Sequence, residues 1–156
     1  MKKSTFEKIG FIDEFINDVF KFFTKKRVEC ILLFGSYSAG FENPESDVDL
    51  WIVLKNYSLG DFIYLKNVYA KYRPLGLSLS VKWLDELKFK DESFASHKGN
   101  GHFLIWELQR SIVLYGKNPF SDIKIDKDLV YQSVVVKLEK ILTEYRKFAI
   151  KGIKID

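Results

Sequence analysis

The sequence predicts an α/β chain of the α+β kind, a mixed β-sheet flanked by helices. Three observations carry this. Four short segments, 28–34, 47–54, 77–83 and 111–115, are apolar or alternating and have strand length. Two longer ones, 4–26 and 127–150, repeat apolar residues at helical spacing. Helical and strand segments follow one another along the chain, an order that packs helices onto a sheet.

Taken in order, residues 4–26 read as an amphipathic helix, with Phe6, Ile9, Ile12, Phe15, Ile16, Val19, Phe20 and Phe23 three and four apart. The basic run Lys25-Lys26-Arg27 falls at its expected end, where it complements the helix dipole. Val28 to Phe34 form a buried strand that contains Cys30 as a small hydrophobe, and Gly35-Ser36 ends it. Residues 37–46, with Gly40, Asn43 and Pro44, form a turn-rich connection. Asp47 to Leu54 read as a second strand, and 61–73 as a helix opened by Asp61 and broken by Pro74 and Gly76.

In 77–83, Leu77, Leu79, Val81 and Trp83 alternate with Ser78, Ser80 and Lys82, the pattern of a half-exposed strand. Residues 93–101 are small and polar, 102–110 helical, and 111–115 a last short strand closed by Gly116. After a loop at 117–125 comes a long helix over 127–150, with Val130, Val134, Leu138, Ile141, Leu142, Tyr145 and Phe148 on one face. No repeat or linker divides the chain, so residues 1–156 are expected to form a single domain with a long C-terminal helix.

Composition excludes several classes. With 47% hydrophobic and 29% charged residues, the chain is an ordinary globular one. Its lone cysteine forbids an internal disulfide, and no run of about 18 apolar residues exists to span a membrane. The N-terminal residues lack the apolar stretch of a signal peptide, and the expected location is cytoplasmic. The net charge of +4 suits a nucleotide, a nucleic acid or an acidic partner, although the lysines are spread along the chain.

The chemistry concentrates in Gly35-Ser36, a ten-residue interval, and Asp47-Val48-Asp49. Two residues apart on a strand, Asp47 and Asp49 point the same way. Paired carboxylates repel, so a stable fold leaves them to water or to a cation. Mg²⁺ accepts one or two carboxylates together with substrate phosphates. A strand ending in Gly-Ser and turning into a helix presents backbone N–H groups to phosphate oxygens. Gly35 lets the backbone approach closely, and the Ser36 hydroxyl adds a donor. Lys82 shares a strand face with Ser78 and Ser80, where an ammonium is a candidate phosphate contact. Trp51 lies on the aspartate face as a core residue. His97 and His102 lack the spacing of a helical zinc pair and read as loop or surface residues.

The stretch GSYSAGFENPESDVDLWIVL resembles the glycine-serine and paired-aspartate motif of the DNA polymerase β-like nucleotidyltransferase superfamily, nearest to its minimal members. The specific motif covers residues 31–54, and Ile112 to Gly116 resemble a late strand of the group. The resemblance implies the nucleotidyltransferase fold and transfer of a nucleoside monophosphate from ATP or another triphosphate to an acceptor hydroxyl, with Mg²⁺ or Mn²⁺. It implies that Gly35 and Ser36 hold the triphosphate, while Asp47 and Asp49 ligate metal.

Two departures stand out. Minimal members often carry Arg where Ala39 precedes Gly40. Active members usually carry a third carboxylate on a neighbouring strand. Aligning the exit of 77–83 puts Ser80 there, and a slip of two residues puts Ser78, both uncharged. Asp85 lies beyond the strand, in a capping position, and Asp91-Glu92 form a loop from which a carboxylate can be supplied.

The functional expectation is therefore a nucleotidyltransferase acting on a small molecule or a protein. The alternative is a catalytically impaired nucleotide-binding regulatory protein, similar to the antitoxin partners of HEPN-type toxins. A protein partner or a homodimer accompanies either reading. The sequence names neither the acceptor nor the preferred base.

Overall fold

The computed structural model describes residues 9–84 and 101–151. The elements are α1 (Ile12–Phe22), β1 (Val28–Phe34), α2 (Gly35–Ala39), β2 (Val48–Leu54), α3 (Leu59–Tyr72), a single 3-10 turn (Arg73–Leu75), β3 (Leu77–Trp83), α4 (Gly101–Gln109), β4 (Ile112–Gly116) and α5 (Lys127–Lys151). His97, Asp85, Asp91 and Glu92 lie outside the described residues. The chain divides into two compact units, Met1–Lys88 with Glu107–Asp122, and Phe89–Trp106 with Ile123–Asp156.

The first unit holds the sheet. Among the described residues it has four strands in the order β3-β2-β1-β4. β1 pairs antiparallel with β2 and with β4, and β2 runs parallel to β3, so the sheet is mixed as the alternation of segments predicts. One sheet face carries Ile31, Leu33, Leu50, Ile52, Leu54 and Leu77, packed with Phe15, Val19 and Phe23 of the α1 segment and Leu65, Val68 and Tyr72 of α3. Full burial of a ring such as Phe15 contributes about 1.5–3 kcal/mol. Period-two alternation sends Cys30, Leu32, Phe34, Asp49 and Trp51 to the other face. There Trp51 is buried, with its ring edge-on to Phe34 and Phe120. Cys30 is fully buried, which pushes its thiol up to about 12.

Several element ends differ from expectation, three of them with consequences for contacts or for the site. α1 stops at Phe22, so Lys25-Lys26-Arg27 do not sit at a helix end. Arg27 is drawn away to Asp61, which it grips through its two terminal guanidinium nitrogens at 3.2 and 2.5 Å, while its Nε donates to Asn56. Asp61 does not open α3. The helix begins two residues earlier, with Ser58 as cap, and the Asp61 carboxylate accepts the Ser58 N–H at 2.6 Å. The second strand starts at Val48, which leaves Asp47 just outside it.

A second polar cluster fastens α1 to α3. Buried Asp18 accepts from Lys21 at 2.6 Å, Lys71 at 2.7 Å and the Tyr72 hydroxyl at 2.6 Å. These donors hold its carboxyl well below the usual carboxylate range. Among the described residues, no helix is long and apolar enough to cross a membrane.

Candidate functional site

Antiparallel pairing of β1 with β2 sets Phe34 opposite Asp49. The next residue, Gly35, therefore falls beside the Asp49 carboxylate, although 14 positions separate the two in sequence. The approach is close: a Cβ added to Gly35 would stand 2.5 Å from Asp49 Oδ2 and 3.3 Å from its Cγ. Gly35 also has a φ of +71°, a conformation that costs any other residue about 1–2 kcal/mol. Backbone conformation and lack of space thus demand glycine independently.

Ser36 is half-buried in the first turn of α2, and the preceding Phe34 has no side-chain acceptor with which to cap that turn. Gly40 closes α2 in the left-handed conformation, and the Phe41 N–H then donates to the Ser36 carbonyl at 3.0 Å. A tight turn follows. Asn43 Oδ1 accepts from the Glu45 N–H at 2.8 Å, and Ser46 Oγ accepts from the Asn43 N–H at 2.9 Å. This turn delivers exposed Asp47 to the start of β2.

Asp49 is half-buried. Burial pushes its carboxyl up, a hydrogen bond from the Ser78 hydroxyl opposes that, and the neighbouring Asp47 charge pushes it up again. The net direction is upward. Two carboxylates close enough to repel, one of them partly out of water, make a hard-oxygen donor pair that suits a divalent cation such as Mg²⁺. Among the described residues no group of three His, Cys, Asp or Glu is placed to hold a metal ion.

The parallel β2–β3 register decides which serine stands beside Asp49. It pairs Asp49 with Ser78 and Trp51 with Ser80. The position facing Asp49 is thus Ser78, two residues before the one inferred from the strand exit. Register is set at the strand's entry, where the Val48 N–H donates to the Gly76 carbonyl at 2.8 Å. Alignment from the strand exit favours Ser80 and reaches Ser78 only by a slip of two residues; the register selects Ser78, and its sequence signal is the Gly76 break immediately ahead of the alternating run.

Gly35 and Ser78 both meet the Asp49 carboxylate, with Ser36 next to Gly35 in the chain and Asp47 two residues before Asp49. Lys82 lies four residues further along β3 than Ser78, about 13 Å at strand rise, and its Nζ sits 5.4 Å from the centre of the Trp51 ring. His102 belongs to α4. Ala39 is exposed beside Gly40.

Residues 16–120, a span that takes in all four strands, match the family model described as Polymerase beta, Nucleotidyltransferase. Solved structures similar to this chain include a toxin–antitoxin MntA-HpeT mutant, at 18% identity over 90% of this chain and 95% of that one, with a TM-score of 0.43. A toxin–antitoxin with AMP-PNP is 19% identical over 90% and 96%, with a TM-score of 0.41. A toxin–antitoxin MntA-HepT is 13% identical over 90% and 93%, with a TM-score of 0.38. No curated protein matches the chain.

Proposed function

The chain belongs to the polymerase beta nucleotidyltransferase family, and from that premise we propose that it moves a nucleoside monophosphate from ATP or another nucleoside triphosphate to an acceptor hydroxyl on a small molecule or a protein. The observation that carries the proposal is the fit of the Asp49 carboxylate against Gly35, which joins the Gly-Ser turn and the aspartate pair into one site. Asp47 and Asp49 are the residues that would hold Mg²⁺. When bound, the ion neutralises triphosphate charge that the two carboxylates alone would repel.

The chain's own groups have separate roles. The Gly35-Ser36 backbone and the Ser36 hydroxyl bind phosphate oxygens, and bare Gly35 leaves them room. Ser78 orients the Asp49 carboxylate by donating to it. Lys82 is proposed as a phosphate contact at the far end of the β3 face, reached by leaving the Trp51 ring. The acceptor oxygen attacks the α-phosphorus in line. A new P–O bond forms, pyrophosphate leaves, and the acceptor proton passes to solvent.

A second reading, a nucleotide-binding regulator with little turnover and an antitoxin-like role, rests on one observation: a serine, not a carboxylate, faces Asp49 from β3. A hydroxyl carries no charge near pH 7, so Ser78 supplies neither an anionic ligand nor a base. Incubation with labelled nucleotides, Mg²⁺ or Mn²⁺ and candidate acceptors separates the two. Label transfer that disappears in Asp47→Ala supports the enzyme. Triphosphate binding without transfer supports the regulator.

A further inference from the structure

The second unit carries an amphipathic helix that the described structure leaves uncovered. In α5 every residue from Val135 to Arg146 is exposed. A solvated helix of that length is marginal by itself, and it ordinarily shows a polar surface. This one shows Tyr131, Val135, Leu138, Leu142 and Tyr145, spaced four, three, four and three, with Ile141 alongside. These six side chains are between 39% and 71% exposed. Alternating four-three spacing is the seam by which one helix packs along another.

The seam is also close to a palindrome about Leu138. Tyr131 lies seven residues before it and Tyr145 seven after; Val135 lies three before and Ile141 three after; Val134 lies four before and Leu142 four after. Two copies laid antiparallel across a two-fold axis at Leu138 therefore match like with like. Leu138 meets its own equivalent, Val135 meets Ile141, Val134 meets Leu142, and Tyr131 meets Tyr145. Self-complementarity of this kind is what an isologous interface requires. The six side chains expose on the order of 600 Å² per chain, so a pair covers up to roughly 1,200 Å², the lower edge of stable interfaces.

We propose that α5 is a self-association surface through which two copies of this chain pair as antiparallel helices centred on Leu138. The occupant is a second copy because the seam complements itself in reverse, and it is a helix because the spacing is that of helix packing. The polar shoulder Gln132, Glu139 and Arg146 borders the seam and stays in water. The proposal does not depend on the activity assigned to Asp47 and Asp49.

Sedimentation or light scattering of the full chain from about 1 μM to about 1 mM tests this. A concentration-dependent dimer is expected. Leu138→Glu sets two carboxylates against each other at the two-fold axis and raises the dissociation constant at least about 100-fold, with helix content by circular dichroism retained. Leu138→Cys, read in non-reducing gels, fixes the register: it forms a disulfide dimer, whereas Tyr131→Cys alone does not, because Tyr131 faces Tyr145 of the other copy. Buried Cys30, with its raised pKa, stays out of the exchange. A chain that is monomeric throughout the range overturns the proposal, even if another protein or a lipid surface binds α5. So does a dimer that survives both Leu138→Glu and Leu142→Glu.

Discussion

Replacing Gly35 by alanine separates what the backbone demands from what the site demands. Gly40 is the natural control. Its φ of +74° nearly equals the +71° of Gly35, yet a Cβ at Gly40 meets nothing within 4 Å. Gly40→Ala therefore carries only the conformational penalty, about 1–2 kcal/mol, which at this chain length lowers Tm by roughly 2–8 °C. In Gly35→Ala the new methyl stands 2.5 Å from Asp49 Oδ2, so the carboxylate must withdraw by about half an ångström or more. That swing breaks its hydrogen bond with Ser78, and a hydrogen bond to a charged group is worth about 1.5–3 kcal/mol. The expected total is about 2.5–5 kcal/mol. Thermal and urea melts of Gly35→Ala, Asp49→Ala and the double variant measure the coupling, since removing the carboxylate reduces the Gly35→Ala cost to that of Gly40→Ala. Titration with Mg²⁺ and ATP should show binding lost in Gly35→Ala and kept in Gly40→Ala. Equal costs for both glycines, with coupling below about 0.5 kcal/mol, would refute the packing of Asp49 on Gly35.

Three further outcomes are expected. Asp49→Asn should stabilise the free protein at pH 7, by a Tm rise on the order of 2–4 °C, while abolishing cation-dependent nucleotide binding. Because the folded-state pKa of Asp49 is raised, its penalty is present above that pKa and vanishes as pH falls below 3.8, so the gain should vanish in acid; a gain that persists there contradicts the assignment. Arg27→Met strands buried Asp61 and should cost about 3–5 kcal/mol in denaturant melts. Burial pushes Asp61 up, but its bonds from Arg27 and Ser58 outweigh that and lower it, so the wild-type contribution is present above 3.8 and is lost as pH falls through the depressed value. Ser78→Asp should raise transfer to a candidate acceptor, by up to the 10²–10⁴-fold typical of a general base, whereas Ser80→Asp, opposite Trp51, should not; the reverse ranking would show that the β3 register is misassigned.

The alternation of Leu77 to Trp83 and the apolar runs 28–34 and 47–54 carried the mixed sheet, because period two is a local property. The Gly-Ser and paired-Asp signal was local in the same sense. What sequence did not disclose depends on distant pairing. The ion pair of Arg27 with Asp61 spans 34 positions, and it explains both the early end of α1 and the absence of the basic run from a helix terminus. Which serine faces Asp49 follows from a parallel register fixed at Gly76, and parallel pairing leaves no hairpin turn to read. In α5, helical spacing marked the apolar face but could not show that Leu138, Ile141, Leu142 and Tyr145 remain exposed. A seam meant for another helix and a stripe meant for the chain's own core have nearly the same period.

The central claim, that Asp47 and Asp49 form a cation-dependent triphosphate site with Gly35-Ser36, is tested most directly by isothermal titration of ATP into the full chain. The titration is run with Mg²⁺, with chelator, and with Mg²⁺ against Asp49→Ala. Heat of binding is expected only in the first; binding of equal strength in all three would contradict the account.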